Sequence, residues 1–189
     1  MIVTKKDLYD YLEYEKRLYI NRDRLKYIIS MFIKSPLYMN WKYVKVLRKV
    51  EFYKNNSNKI LYIFYKRKLN KLGQKLGIEI KENCFGKGLK IFHGGSIIVN
   101  SKARIGENCR IVGNVCIGNN RSDGGVPKIG KNVLIGIGAI VIGDIEIADN
   151  ISIAAGAVVV NSFKEEGITI GGIPARKLEI KKIIIIHKD

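Results

Sequence analysis

Two hydrophobic rhythms divide the chain. From Val99 to Val159, branched apolar residues return every six positions: Val99, Ile105, Ile111, Ile117, Ile129, Ile135, Val141, Ile147, Ile153 and Val159. Asp123 is the one position on this phase that departs from it. A Gly or Ala follows many of these residues (Gly106, Gly118, Gly130, Gly136, Ala148, Ala154). A second small or apolar residue stands four places on, as at Ala103, Cys109, Val115, Val133, Ala139, Ile145, Ile151 and Ala157. A period of six matches neither the 3.6 of a helix nor the 2 of a strand. It matches a β-solenoid whose coil is a triangle of six-residue edges, the branched residue pointing inward and the small residue at or near a tight corner. Parallel strands joined by helices do not fit, because no helical stretch of 10–15 residues separates the apolar runs.

The first 76 residues follow a helical rhythm instead. Thr4-Lys5-Lys6-Asp7 resembles a capping box with Asp in place of Glu. Behind it Leu8, Tyr11, Leu12 and Tyr19 share one helical face. Ser35-Pro36 predicts a break or a start. Trp41, Val44, Leu47 and Val50 predict a helix over about 39–54, and Asn55–Asn58 a loop. A further helix, about 59–72, should end near Gly73 or Gly77. The expected organisation is thus an α-helical unit over 1–76, a β-helix over 77–177 and a tail over 178–189, a mainly β fold with a helical N-terminal domain.

The solenoid phase survives a longer interval between Ile117 and Ile129. The polar, Gly-rich run through Asn119, Asn120, Arg121 and Asp123 should therefore bulge out of the coil. Insertions in solenoids map to loops on a working face, so these four are candidate substrate-loop residues.

Charge separates the halves again. Residues 1–90 hold 22 Lys and Arg against 8 Asp and Glu, whereas 91–189 hold 12 against 9. All ten Tyr and the single Trp lie within the first 65 residues. This basic, aromatic start reads either as a helical cap with solvated lysines or as a surface drawn to a polyanion or to the inner face of a membrane. No nucleic-acid recognition motif accompanies it. No run of apolar residues is long enough for a membrane-spanning helix, and the N-terminus lacks the pattern of a signal peptide. The three cysteines, with no CxxC, suit a reducing cytoplasm and predict no metal site.

Two histidines are present, His93 and His187. His187 sits in the charged tail and reads as solvated. His93 lies six places before Val99, on the repeat phase and beside Gly94-Gly95, and is the candidate general base. A structural histidine satisfied by backbone is the alternative.

The run Phe92-His93-Gly94-Gly95-Ser96-Ile97-Ile98-Val99-Asn100 resembles the catalytic-histidine segment of serine acetyltransferases. A helical N-terminal unit, the stretch Asn83–Leu89 and the close Gly171-Gly172-Ile173-Pro174-Ala175-Arg176 resemble the related enzymes of bacterial capsular and surface polysaccharide clusters. The likeness covers 77–177 firmly and 1–76 loosely. It implies a left-handed β-helix, a homotrimer with its site between protomers, and direct acetyl transfer from acetyl-CoA to a hydroxyl, with His93 as base and no metal. It further implies coenzyme contacts around Ile137, Gly138 and Ala139 and around Ala154, Ala155 and Gly156, with Gly172, Pro174 and Arg176 at the nucleotide end. Two departures stand out. Val126 replaces a second active-site histidine, and Phe92 replaces an Asp beside the first. Glu79 is the nearest candidate for the upstream acid that pairs with the histidine, one residue out of register. These losses favour a sugar hydroxyl over free serine as acceptor. Serine acetylation and a non-catalytic β-helix scaffold are the competing readings.

Overall fold

The computed structural model describes residues 1–20, 23–120 and 124–179. Four helices come first: α1 (Lys5–Tyr19), α2 (Arg24–Phe32), α3 (Pro36–Asn55) and α4 (Lys59–Leu76). The capping box at Thr4 forms, the Thr4 hydroxyl accepting from the Asp7 N–H while the Asp7 carboxylate accepts from the Thr4 N–H. Ser35-Pro36 begins a helix: Ser35 is the N-cap of α3 and Pro36 occupies its first turn. Helix α4 runs past Gly73 and stops at Gly77, whose φ of +68° reverses the chain. Gly73 is needed for a different reason, since a Cβ there would lie 2.4 Å from the carbonyl oxygen of Ile78.

The remainder is a left-handed parallel β-helix with three faces, although the helices contain more residues than the strands. The five-stranded face stacks β1 (Ile78–Ile80), β3 (Ile97–Val99), β6 (Cys116–Gly118), β9 (Ile140–Ile142) and β12 (Val158–Val159). The three-stranded face stacks β4 (Arg104–Ile105), β7 (Lys128–Ile129) and β10 (Glu146–Ile147). The six-stranded face stacks β2 (Lys90–Ile91), β5 (Arg110–Ile111), β8 (Leu134–Ile135), β11 (Ser152–Ile153) and β13 (Thr169–Gly172), and ends in the antiparallel β14 (Ala175–Lys177).

Inside, the branched residues form columns such as Ile91–Ile111–Ile135–Ile153–Ile170 and Val99–Ile117–Val141–Val159, nearly all fully buried. Each such side chain contributes roughly 1.5–3 kcal/mol by leaving water. At Gly106 and Gly136, each the residue after a branched one, the next coil leaves no room for a side chain. A Cβ at Gly106 would lie 2.6 Å from Gly130 backbone, and one at Gly136 would lie 2.6 Å from the Ala155 nitrogen. A third set, Asn108, Asn132 and Asn150, turns a corner at positive φ and forms a side-chain ladder with bonds of 3.1 and 3.0 Å. The Tyr14 hydroxyl of α1 donates to Asn108 at its foot, 2.8 Å away.

The helices close the open end of the prism. One continuous core runs from Tyr19, Trp41 and Leu47 into Ile80, Leu89 and Ile91. Helix α3 is buried on most sides and lies between α1, α4 and the first coil. At this junction Arg48 is fully buried, its guanidinium bonded to Glu15 at 2.7 Å, to Glu51 at 2.8 Å and to the carbonyls of Phe85 and Gly86. Glu15 also accepts the N–H groups of Gly88 and Leu89, and Glu51 that of Asn83. Burial raises the Glu51 carboxyl above its ordinary value, against the pull of Arg48.

Candidate functional site

His93 is not an inward residue of the repeat. Ile91 is the inward residue of its strand, and Val99 follows it by eight positions rather than six. The additional two residues are taken up at the corner between the six-stranded and five-stranded faces, and His93 is exposed there. Its N–H donates to the Val112 carbonyl, and Gly113 in the next coil faces its Cβ.

This corner is the one to which most of the predicted coenzyme residues belong. Strand register places Ile91, Ile111, Ile135, Ile153 and Ile170 in one column. The residues two places later, His93, Gly113, Ile137, Ala155 and Gly172, therefore form a parallel row along one edge of the prism. Hydrogen bonds tie it together: Gly138 N–H to Gly113 O, Gly156 N–H to Ile137 O, and Ala154 N–H to Ile170 O. Four inter-strand steps of ~4.8 Å make the row about 19 Å long. Ile137 and Ala155 are exposed along it, whereas Ala139 turns inward and is fully buried. Gly138 and Gly156, at φ +73° and +67°, leave the edge open, for a Cβ at Gly156 would touch nothing. At the far end the chain reverses through Ile173-Pro174, and Arg176 returns exposed beside Gly171. The row is thus a ledge of backbone and small side chains, with an imidazole at one end and a guanidinium at the other.

The helices hold the His93 segment from behind. Asn40 of α3, buried, donates its amide to the carbonyls of both Ile91 and Phe92, each at 3.2 Å. The Tyr19 hydroxyl of α1 accepts from Ile91 N–H at 2.6 Å and donates to Leu89 O at 3.1 Å. At the end of α4, the Leu76 carbonyl accepts from Gly95 N–H. None of these contacts was foreseen from the sequence. Their signal was a polar residue, Asn40, on the same helical stripe as Val44 and Leu47.

Glu79 does not partner His93. It lies outward on β1 and pairs with Lys81 at 2.8 Å, a hydrogen bond that holds its carboxyl below the ordinary value. The loop 118–128 leaves at another corner, between the five-stranded and three-stranded faces. Asn119 accepts from the Asn100 amide at 3.1 Å, and Asn120 is exposed. Arg121, Asp123 and His187 lie outside the described residues. No group of side chains that could hold a metal occurs among the described residues. Burial pushes the thiols of Cys84 and Cys109 up to about 11 and about 12, which unsuits both as nucleophiles.

No family model and no curated protein matches the chain. Solved structures do. Serine acetyltransferase from Neisseria gonorrhoeae superposes with a TM-score of 0.74 at 26% identity, over 93% of this chain and 66% of that one. The soybean serine acetyltransferase apoenzyme gives 0.74 at 26%, over 90% and 69%. The fold is that of the serine acetyltransferases. The Brucella abortus serine acetyltransferase solved in complex with coenzyme A has the same fold, with a TM-score of 0.73 at 23% identity over 92% of this chain and 68% of that one. The chain spans about two thirds of the length of the Neisseria neighbour. This serine acetyltransferase fold includes the helices as well as the solenoid, since the superposition takes in nearly the whole chain.

Proposed function

We propose that the chain is an O-acetyltransferase that moves an acetyl group from acetyl-CoA to a hydroxyl. The observation that carries this reading is the single edge on which His93, Ile137–Gly138, Ala155–Gly156 and Gly172 lie in a row. A long, thin donor laid on that ledge would meet backbone amides along its middle, with Arg176 near its phosphates and its thioester at His93. The coenzyme A complex of the Brucella neighbour supports the same donor. His93 would take the proton of the acceptor hydroxyl as its oxygen attacks the thioester carbon. Collapse of the tetrahedral adduct would break the C–S bond, and the imidazolium would return the proton to the departing thiolate.

Two acceptors are supported by different observations. The names of the structural neighbours support L-serine. Phe92 and Val126, apolar where the resemblance expects an acid and a second histidine, support a sugar hydroxyl of a bacterial surface polysaccharide or its precursor. The site is completed by assembly as a homotrimer in this reading. Within one chain Gly118 and Lys128, where the loop begins and ends, lie at a different corner from His93, which supports walling of the site by the loop of a neighbouring copy.

His93→Ala tests the proposal. Turnover of acetyl-CoA should fall by about 10²–10⁴ while the fold and coenzyme binding are retained. The assay is release of free thiol with L-serine and, separately, with nucleotide sugars and surface oligosaccharides as acceptors. A folded variant that keeps more than about a tenth of wild-type turnover refutes His93 as base.

A further inference from the structure

Helix α2 is amphipathic the wrong way round for a buried helix. Leu25, Ile28, Ile29 and Phe32 fall at i, i+3, i+4 and i+7 and form one stripe, and that stripe faces solvent. Phe32 is 85% exposed and Leu25 65%. Met31 and Ile33 widen the apolar surface. The opposite side of α2 faces the protein, where Tyr27 packs edge-on against Tyr38 with ring centroids 6.1 Å apart.

Tyr27 also forms one wall of a cavity of about 190 Å³ between α2, α3 and α4. Lys42, Lys45 and Lys49, spaced along one face of α3, line it together with Lys68 of α4. Tyr38, Trp41 and Tyr65 complete its apolar sides. No carboxylate lines the cavity, and none of the four lysines forms an ion pair among the described residues. The polar neighbour of Lys49 is the Tyr65 hydroxyl, 3.4 Å away. Burial first, and then the charges of Lys49, Lys16 and Lys68, hold the Lys45 ammonium below the ordinary lysine value. A cluster of like charges without a counter-ion is repulsive in the protein alone and becomes favourable when an anion enters it.

We propose that α2 and the lysine-lined cavity it covers dock together on an anionic lipid bilayer, with the α2 stripe inserted at the headgroup boundary and a lipid phosphate held by Lys42, Lys45, Lys49 and Lys68. The aromatic walls of the cavity and the exposed apolar stripe of α2 both suit the region where headgroup meets acyl chain. The charge of the first half of the chain, 22 basic against 8 acidic residues over 1–90, adds long-range attraction to such a surface. A second copy of the chain is disfavoured as the occupant, because an isologous contact here would bring two strongly basic helical units together. The inference does not rest on acetyl transfer.

The test is sedimentation of the full chain with vesicles of phosphatidylcholine alone and of phosphatidylcholine with phosphatidylglycerol at 3:1. Binding is expected to the anionic vesicles only, and to weaken as salt rises. Lys45→Gln with Lys49→Gln should lower the partition coefficient roughly tenfold or more, at about a kcal/mol for each lysine near the surface. Ile29→Asp with Phe32→Asp should lower it at least as much. All four side chains are on the helical unit and away from His93, so the melting temperature and turnover of a soluble acceptor should stay at wild-type values. The proposal is overturned if anionic vesicles do not bind, or if neither pair of substitutions changes the binding. It is also overturned if Ile29→Asp with Phe32→Asp reduces the solution mass, which would make a second copy the occupant. Finally, it fails if the lysine pair abolishes binding of inorganic pyrophosphate while vesicle binding is unchanged, which would make the ligand a soluble anion.

Discussion

Replacing Arg48 by Met should cost the protein about 3–5 kcal/mol, the loss seen when one partner of a buried ion pair is removed. The side chain keeps similar bulk, so the loss is electrostatic. Glu15 and Glu51, 0% and 2% exposed, would face each other with no cation between them. The carbonyls of Phe85 and Gly86 would lose their guanidinium donors as well. Backbone N–H groups from Gly88, Leu89 and Asn83 remain, so the carboxylates are not wholly stranded, which keeps the loss within that range. The pH dependence follows from Glu51. Its folded pKa lies above the ordinary 4.5, so the folded state binds a proton more readily than the unfolded one. Stability therefore falls as pH rises through that raised value. Without Arg48 the value rises further, and Arg48→Met should regain part of its lost stability between pH 8 and pH 5. Urea unfolding at fixed protein concentration measures this, with a slope of about 1–3 kcal/mol per molar and hence a midpoint lowered by a molar or more. Adding Glu15→Gln and Glu51→Gln should restore more than half the loss. A shift worth less than about 1 kcal/mol, or a loss equal at pH 5 and pH 8, would refute the buried-charge account.

Asn40→Leu should leave the Ile91 and Phe92 carbonyls without their donor, lower stability by about 1–3 kcal/mol and reduce kcat more than it raises KM, because the ledge proposed for the donor is untouched. An unchanged kcat in a folded Asn40→Leu protein would remove Asn40 from the positioning of His93. Light scattering of the wild-type chain should give a trimer mass, and an active monomer would show that loop 118–128 is not needed from a neighbouring copy.

Much of the architecture was legible in the sequence because its determinants are local or periodic. The capping box at Thr4, the start at Ser35-Pro36 and the stop at Gly77 depend on residues within a few positions of one another. The solenoid depends on a period, and any residue on that period meets its equivalents in the coils above and below. For the same reason the segments that the resemblance assigned to the coenzyme fall, Ala139 excepted, on the edge that carries His93.

What the period could not reveal was where it slips. The two residues added between Ile91 and Val99 move His93 from the expected inward position to an exposed corner, because the corner can absorb extra chain and the packed column cannot. Nor could local pattern reveal the partners of a side chain distant in sequence. Glu79 lies close to the expected register, yet its neighbour on the strand surface is Lys81. Asn40 and Tyr19 reach backbone some 50 and 70 positions away in the chain, and Arg48 bonds to two distant segments, Glu15 and the Phe85–Gly86 carbonyls. The hexapeptide period, the helix ends and the segregation of charge were thus properties of the sequence itself. The orientation of His93, the polar clamp behind it and the solvent-facing stripe of α2 were decided only when the helices packed on the open end of the prism, because contacts between distant segments do not exist until that surface forms.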